Sequence, residues 1–249
     1  PPAPPPASRR SGRIPPHAPA RARDRLRNPE PAGTVLVTLT LAIPVKLDLD
    51  AAGIRFDAGG VVVNAALRTS NRRIYAIGDV AAGTPNFTHV AGYHAGVVIR
   101  SLLFGLPAKV RTDHIPWVTY TDPELAQVGL TEAEAREAYG GKVEVVRFDL
   151  GGNDRLVAER KARGLIKVMV VKGRPVGVSI AGPQAGEHIA LWSLVIANRL
   201  KMGQVAAMVA PYPTVAEIGK RAAGAYFSPR LFDNPRVKKV VRLVQRWLP

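Results

Sequence analysis

The stretch IYAIGDV (74–80) decides how this chain is read. Its apolar run ending in Gly78-Asp79 reads as a strand that stops at a turn. From Thr88 to Phe104, Val90, His94, Val97, Val98, Ser101 and Leu102 recur at helical spacing, and Gly105-Leu106-Pro107 then stops the helix. Strand, loop and helix in this order place one carboxylate, Asp79, at the C-terminal edge of a sheet. Open α/β sheets bind ligands there. The carboxylate can accept hydrogen bonds from sugar-like hydroxyls, and the helix start offers free N–H groups to an acceptor or an anion. The bland alternative is that Asp79 only caps a turn.

Upstream of this unit, GGVVVN (59–64) reads as a short strand, LDLDAAGI (47–54) as a loop and VLVTLTLAI (35–43) as a strand. Residues 1–33 are of another character. They hold ten of the 22 prolines and seven Arg against Asp24 and Glu30. Proline at this density lets neither helix nor sheet propagate, so the segment is expected to be disordered. An Arg-rich, acid-poor start suggests either a transit peptide or a misassigned start.

Downstream, the pattern becomes strands followed by helices. PWVTYT (116–121) and LAQVGL (125–130) read as strands around Asp122-Pro123, and Thr131 with Glu134 forms a capping box for a helix to about Tyr139. KVEVVRF (142–148), GLIKVMVV (164–171) and PVGVSIAG (175–182) are strands, the last two joined as a hairpin. Helices are expected over about 186–202 and 214–227. This order indicates an α+β domain.

Composition excludes several classes of function. The 249 residues contain no cysteine, which removes disulfides, thiolate metal sites and thiol nucleophiles. The net charge is +16, but each end, 1–33 and 228–249, carries +5 of it. A nucleic-acid-binding domain would carry its basic stripe on the folded face, so nucleic acid is not an expected partner. His89 and His94 are five apart and share no helix face, and no metal site is expected. His188, at a helix start, is expected to be solvated or capped. No GxGxxG, P-loop or GxSxG is present. No apolar run is long enough to span a bilayer and no secretory signal is visible, which places the chain in the cytoplasm.

Two segments of the second half carry further candidates. In PYPTVAEIGKRAA (211–223), Thr214 and Glu217 have the spacing of a second capping box, and Tyr212 lies between two prolines that aim its phenol. A phenol with a pKa near 10 is a poor base at neutral pH. In VKKVVRLVQRWL (237–248), Val237, Val240, Val241, Val244 and Trp247 or Leu248 form one stripe, with Lys238, Lys239, Arg242 and Arg246 mainly opposite. Such a helix can lie on an anionic membrane surface. Docking of the stripe on the protein or on a partner subunit is the preferred reading, and a membrane surface is not an expected partner.

Taken together, NAALRTSNRRIYAIGDV (64–80), FTHVAGYHAG (87–96), VTYTDPELAQVGLTE (118–132) and PYPTVAEIGKRAA (211–223) resemble the flavin-dependent pyridine nucleotide–disulfide oxidoreductases, in order and in spacing. The family includes dihydrolipoamide dehydrogenase and mercuric reductase. The resemblance implies FAD as cofactor and NAD(P)H as co-substrate. Gly78 and Asp79 would meet the ribityl chain, and backbone groups at Phe87, Thr88 and His89 would face the flavin. It implies an α/β remnant of an FAD-binding domain over 34–112. An α+β dimerisation domain of antiparallel sheet and flanking helices would follow over 113–229, then a basic amphipathic helix over 230–249. It implies a homodimer in which Tyr212 and Glu217 of one subunit reach the flavin site of the other.

Three departures from the family pattern qualify that expectation. The dinucleotide fingerprints and the CxxxxC pair are absent. The family's usual histidine, in His-Pro-Thr-x-x-Glu, is Tyr212, as in the mercuric reductase branch. The segment ahead of LDLDAAG lacks the family's Ala-Thr-Gly-Arg run, which fits a frame disruption upstream. The expected chain is therefore a C-terminal portion of an FAD-dependent NAD(P)H oxidoreductase, inactive by itself. A non-catalytic dimerisation module or an inactive remnant is the alternative. The electron acceptor and the choice of NADH or NADPH stay open.

Overall fold

The computed structural model describes residues 35–39 (backbone only) and 48–248. The expected disorder of 1–33 and the continuation of the first strand past Leu39 lie outside the described residues. The chain divides into two compact units, one up to Leu106 and one from Pro107.

In the first unit, β1 (Val35–Leu39) pairs in parallel with β4 (Ile74–Gly78), and β2 (Phe56–Asp57) pairs with β3 (Gly60–Val61) as a minimal hairpin. The strand expected over 59–64 is thus only two residues long. Asn64 explains the stop: its carboxamide oxygen accepts from the Ala66 and Arg68 N–H groups at 2.9 and 3.1 Å, turning the chain out of the ladder. β4 is buried at Tyr75, Ala76 and Ile77, as a strand covered on both faces should be. Helix α1 (Thr88–Phe104) covers it with Val90, Ala91, His94, Val97 and Val98. Gly105 ends the helix in the left-handed conformation, its N–H bonding the Arg100 carbonyl. Leu102, expected on the buried face, is 40% exposed along with Leu103 and Phe104.

The second unit is built on a five-stranded antiparallel sheet in the order β5-β6-β9-β8-β7: β5 (Pro116–Thr119), β6 (Glu124–Gly129), β7 (Val143–Asp149), β8 (Leu165–Val171) and β9 (Arg174–Gly182). The alternation within β8 sets its two layers. Ile166, Val168 and Val170 join the main core with Val178, Ile180, Ile189, Trp192, Ile218 and Ala222, under α4 (Ala185–Ala197) and α6 (Glu217–Phe232). Met169 belongs to a second cluster with Ala135 of α2 (Glu132–Tyr139) and Val143. Lys172 and Gly173 join β8 to β9, both at positive φ (49° and 76°), the pattern of a two-residue hairpin turn. The Thr131/Glu134 capping box forms as expected.

The other helices differ from the sequence expectation. The one expected over 186–202 stops at Ala197, and a separate short helix, α5 (Met202–Ala206), follows. Arg199 turns the chain at φ 52°, while Arg111 and Arg174 donate to the carbonyls of Ala197 and Arg199. These two guanidiniums satisfy acceptors that a continuing helix would have bonded itself. The last long helix starts late and ends late. Thr214 does not cap it: its hydroxyl donates to the Pro211 carbonyl at 2.7 Å, the N-cap is Ala216, and Glu217 is the first helical residue. At the far end α6 continues through Pro229 to Phe232. Arg230 stacks on the Tyr226 ring (3.6 Å), bonds the Tyr226 carbonyl and pairs with Glu144, which holds the turn that proline weakens. A final helix, α7 (Pro235–Trp247), is capped by Asn234.

Candidate functional site

In the first unit the candidate residues gather at the C-terminal edge of the β1–β4 pair. The Gly78 N–H donates to Nδ1 of His94 at 3.2 Å. His94 is fully buried, and burial lowers its pKa, so the ring is neutral. With Nδ1 accepting, the ring proton sits on Nε2, which has no partner among the described residues. The next residue, Asp79, has its Oδ1 buried and equally without a partner. A buried carboxylate oxygen is costly to leave unpaired, and such an oxygen marks a place for a donor.

Asp79 lies between the end of β4 and the start of α1. The helix start has no side-chain cap and no acidic residue in its first turn. Phe87, the N-cap, stacks its ring on His89 at 5.2 Å and 9° between planes. The Phe87 N–H bonds the Pro85 carbonyl at 3.1 Å, and its own carbonyl accepts from Val90 and Ala91, so its backbone is engaged within the chain. This corner offers a hydroxyl-bearing group one free acceptor and an open helix terminus.

In the second unit, Tyr212 and Glu217 join two residues that sequence reading missed, Asp154 and Arg221. Asn153 organises the place. Fully buried, its carboxamide oxygen caps α3 (Asp154–Ala158) by accepting from the Leu156 N–H at 3.0 Å, and its amide donates to the Thr214 carbonyl at 3.1 Å. That bond ties the start of α3 to the loop bearing Tyr212. The Asp154 carboxylate pushes the pKa of the Tyr212 phenol up. Arg221 reaches Asp154 Oδ2 at 3.4 Å and Glu217 Oε1 at 3.7 Å. Glu217 Oε2 and Arg221 Nε are buried without partners among the described residues. The array is thus a fixed proton donor, a half-paired carboxylate and a half-paired guanidinium. The Tyr212 ring stands 69% exposed above them.

Asp154 and Arg221 left a sequence signal only in part. Arg221 stands four residues after Glu217 on one helix, a spacing that ion pairs favour. Asp154 is remote in sequence, and the Asn153–Thr214 bond and the Arg221 ion pair bring it in. His188 also differs from expectation. It is half-buried with Nε2 unpartnered, and burial lowers its pKa. Among the described residues, no group of three or more His, Asp or Glu is placed to hold a metal ion.

Residues 115–223 match the model of the pyridine nucleotide-disulphide oxidoreductase dimerisation domain, and residues 31–95 match that of the pyridine nucleotide-disulphide oxidoreductase domain. The chain belongs to the pyridine nucleotide-disulphide oxidoreductases. Among relatives in this family, it is 35% identical over 178 residues to mercuric reductase of Bacillus cereus, covering 70% of this chain and 28% of that protein. It is 32% identical over 173 residues to dihydrolipoyl dehydrogenase of Bacillus subtilis (strain 168), covering 69% and 37%. The chain therefore spans about a third of the length of these relatives. In three dimensions it superposes on LpdA from Mycobacterium tuberculosis with a TM-score of 0.67 at 24% identity, over 72% of this chain and 39% of that one. The HOCl-induced flavoprotein disulfide reductase RclA from Escherichia coli gives a TM-score of 0.63 at 27% identity, over 72% and 41%. The first unit is thus part of the family's FAD-binding region and the second its dimerisation domain. Among the described residues, no helix is long and apolar enough to cross a membrane.

Proposed function

We propose that this chain supplies one side of the flavin site, and the dimerisation domain, of an FAD-dependent NAD(P)H oxidoreductase of the disulfide reductase family. The observation that carries the reading is the buried Asp79 Oδ1, without a partner among the described residues, beside the uncapped start of α1. That corner suits the hydroxyl-bearing ribityl chain of FAD. Asp79 would accept from it, Gly78 would allow close approach, and the backbone at Thr88 and His89 would face the ring. FAD, when bound, supplies the hydride and electron chemistry that protein side chains lack.

The chain's own residues then have limited tasks. His94 holds the Gly78 peptide, and with it the aim of Asp79. Tyr212, its proton kept in place by Asp154, donates a hydrogen bond or positions a substrate and does not act as a base. Glu217 and Arg221 fix the base of that loop. In a homodimer, Tyr212 and Glu217 of one subunit would serve the flavin site of the other. With no cysteine and no glycine-rich pyrophosphate cradle in the 249 residues, the chain alone would not turn over. The second reading, a dimerisation module without catalysis, rests on that same absence.

The test is the visible spectrum of the purified chain after incubation with excess FAD and removal of the unbound fraction. A flavin band near one per chain, lost in Asp79→Ala, is the expected result. A colourless protein that remains dimeric by light scattering would leave the dimerisation module as the function.

A further inference from the structure

We infer that α7 is a membrane-surface helix that docks this chain on anionic lipid. At 100° per residue, Val237, Val240, Val241, Leu243, Val244, Trp247 and Leu248 fall within one sector of about 160°. Lys238, Lys239, Arg242 and Arg246 fall within an opposing sector of about 100°, while Arg236 lies inside the apolar one. The segment 235–248 contains no acidic residue. Among the described residues of its own unit, the apolar stripe is left largely uncovered. Val240, Val241, Val244, Trp247 and Leu248 are 58%, 46%, 45%, 80% and 67% exposed, and only Val237 is partly covered. Among the described residues, none of its four opposing cations has an ion-pair partner. Docking of the stripe on the protein itself is not seen among the described residues of its unit.

Charge and area select the occupant. The stripe offers on the order of 400 Å², about half of what each partner gives to a stable protein complex. The match to the family's dimerisation domain ends at residue 223, and α7 lies beyond it. An anionic bilayer accepts both faces at once. The valines and Trp247 enter the headgroup boundary, and the lysine and arginine stems carry their charges back to the lipid phosphates. Each such cation strengthens binding about fivefold. Thirteen residues make about 20 Å of helix, so it lies on the surface and does not cross.

The experiment is co-sedimentation of the full chain with phosphatidylcholine vesicles, with and without phosphatidylglycerol, while Trp247 fluorescence is followed. Expected is binding more than about tenfold stronger to the anionic vesicles, weakened by salt, with a blue shift absent in Trp247→Phe. Val240→Asp with Val244→Asp should abolish binding. Lys238→Gln with Arg242→Gln, which alters only exposed positions and so leaves folding intact, should weaken it about tenfold or more. Equal binding to both vesicle types, no binding to either, or binding unchanged in both double variants would overturn the proposal. So would a mass that drops from dimer to monomer in the valine variant without vesicle binding, which would assign the stripe to a second copy.

Discussion

The Asp154 carboxylate acts to keep the Tyr212 phenol protonated. Asp154→Asn removes the charge, so the Tyr212 titration should move down towards the ordinary tyrosine value. The difference ultraviolet spectrum between each background and its Tyr212→Phe counterpart isolates this one phenol among six tyrosines. His94 gives a second residue-level test. Its pKa is lowered by burial, so the unfolded chain binds the proton at a higher pH than the folded one does. Its contribution to stability is full above its ordinary value and is lost as pH falls towards the lowered one. Thermal melting of the chain should therefore drop between about pH 7 and pH 5, and less steeply in His94→Gln.

At the scale of elements, close approach rather than propensity sets the strictest demands. A Cβ on Gly177 of β9 would lie 1.7 Å from the Leu130 carbonyl oxygen. Backbone cannot yield as a side-chain tip can, so Gly177→Ala should cost about 3 kcal/mol or more in chemical denaturation. Sequence periodicity could not reveal this contact, since the glycine sits in a strand whose alternation is otherwise regular. The same limit divides the rest of the reading. Strands β4 to β9, α1 and α2 were legible because their patterns and caps are local. The ends of α4 and α6 were not, because Arg111, Arg174 and Arg230 reach them from elsewhere in the fold. In the site, Asp79, Tyr212 and Glu217 stood out through motif and spacing. Asp154 and His94 did not, because one enters through the buried Asn153 tie and the other looks like any residue of an apolar helix face.

At the scale of the whole molecule, charge is unevenly held. On the α2 side of the sheet, Glu132 draws in Arg136, Arg147 and Lys167 at 2.9, 3.0 and 3.2 Å. These cations hold its carboxyl below the usual glutamate range. Stability from this cluster is present above the ordinary glutamate value and lost as pH falls through the lowered one. Glu132→Gln should therefore lower the unfolding free energy from urea denaturation at neutral pH by about 1 kcal/mol, and the gap from the parent chain should close below about pH 4. Among the described residues, Lys238, Lys239, Arg242 and Arg246 have no such partner, and with no acidic residue in 235–248 the helix α7 presents a field of one sign.

The strand order β5-β6-β9-β8-β7 also dictates an order in time. The run from β7 to β9 pairs only sequence neighbours, closed by the two-residue turn at Lys172-Gly173. β6 must instead wait for β9 to be made, and the Tyr212 loop waits longer still, for a bond between Asn153 and Thr214 that spans 61 residues. Loop-closure entropy makes the local meander the natural nucleus. In stopped-flow refolding, Gly173→Ala should slow folding, whereas Asn153→Ala should leave folding speed almost untouched and accelerate unfolding. By this argument the array around Tyr212 assembles after the meander and comes apart before it.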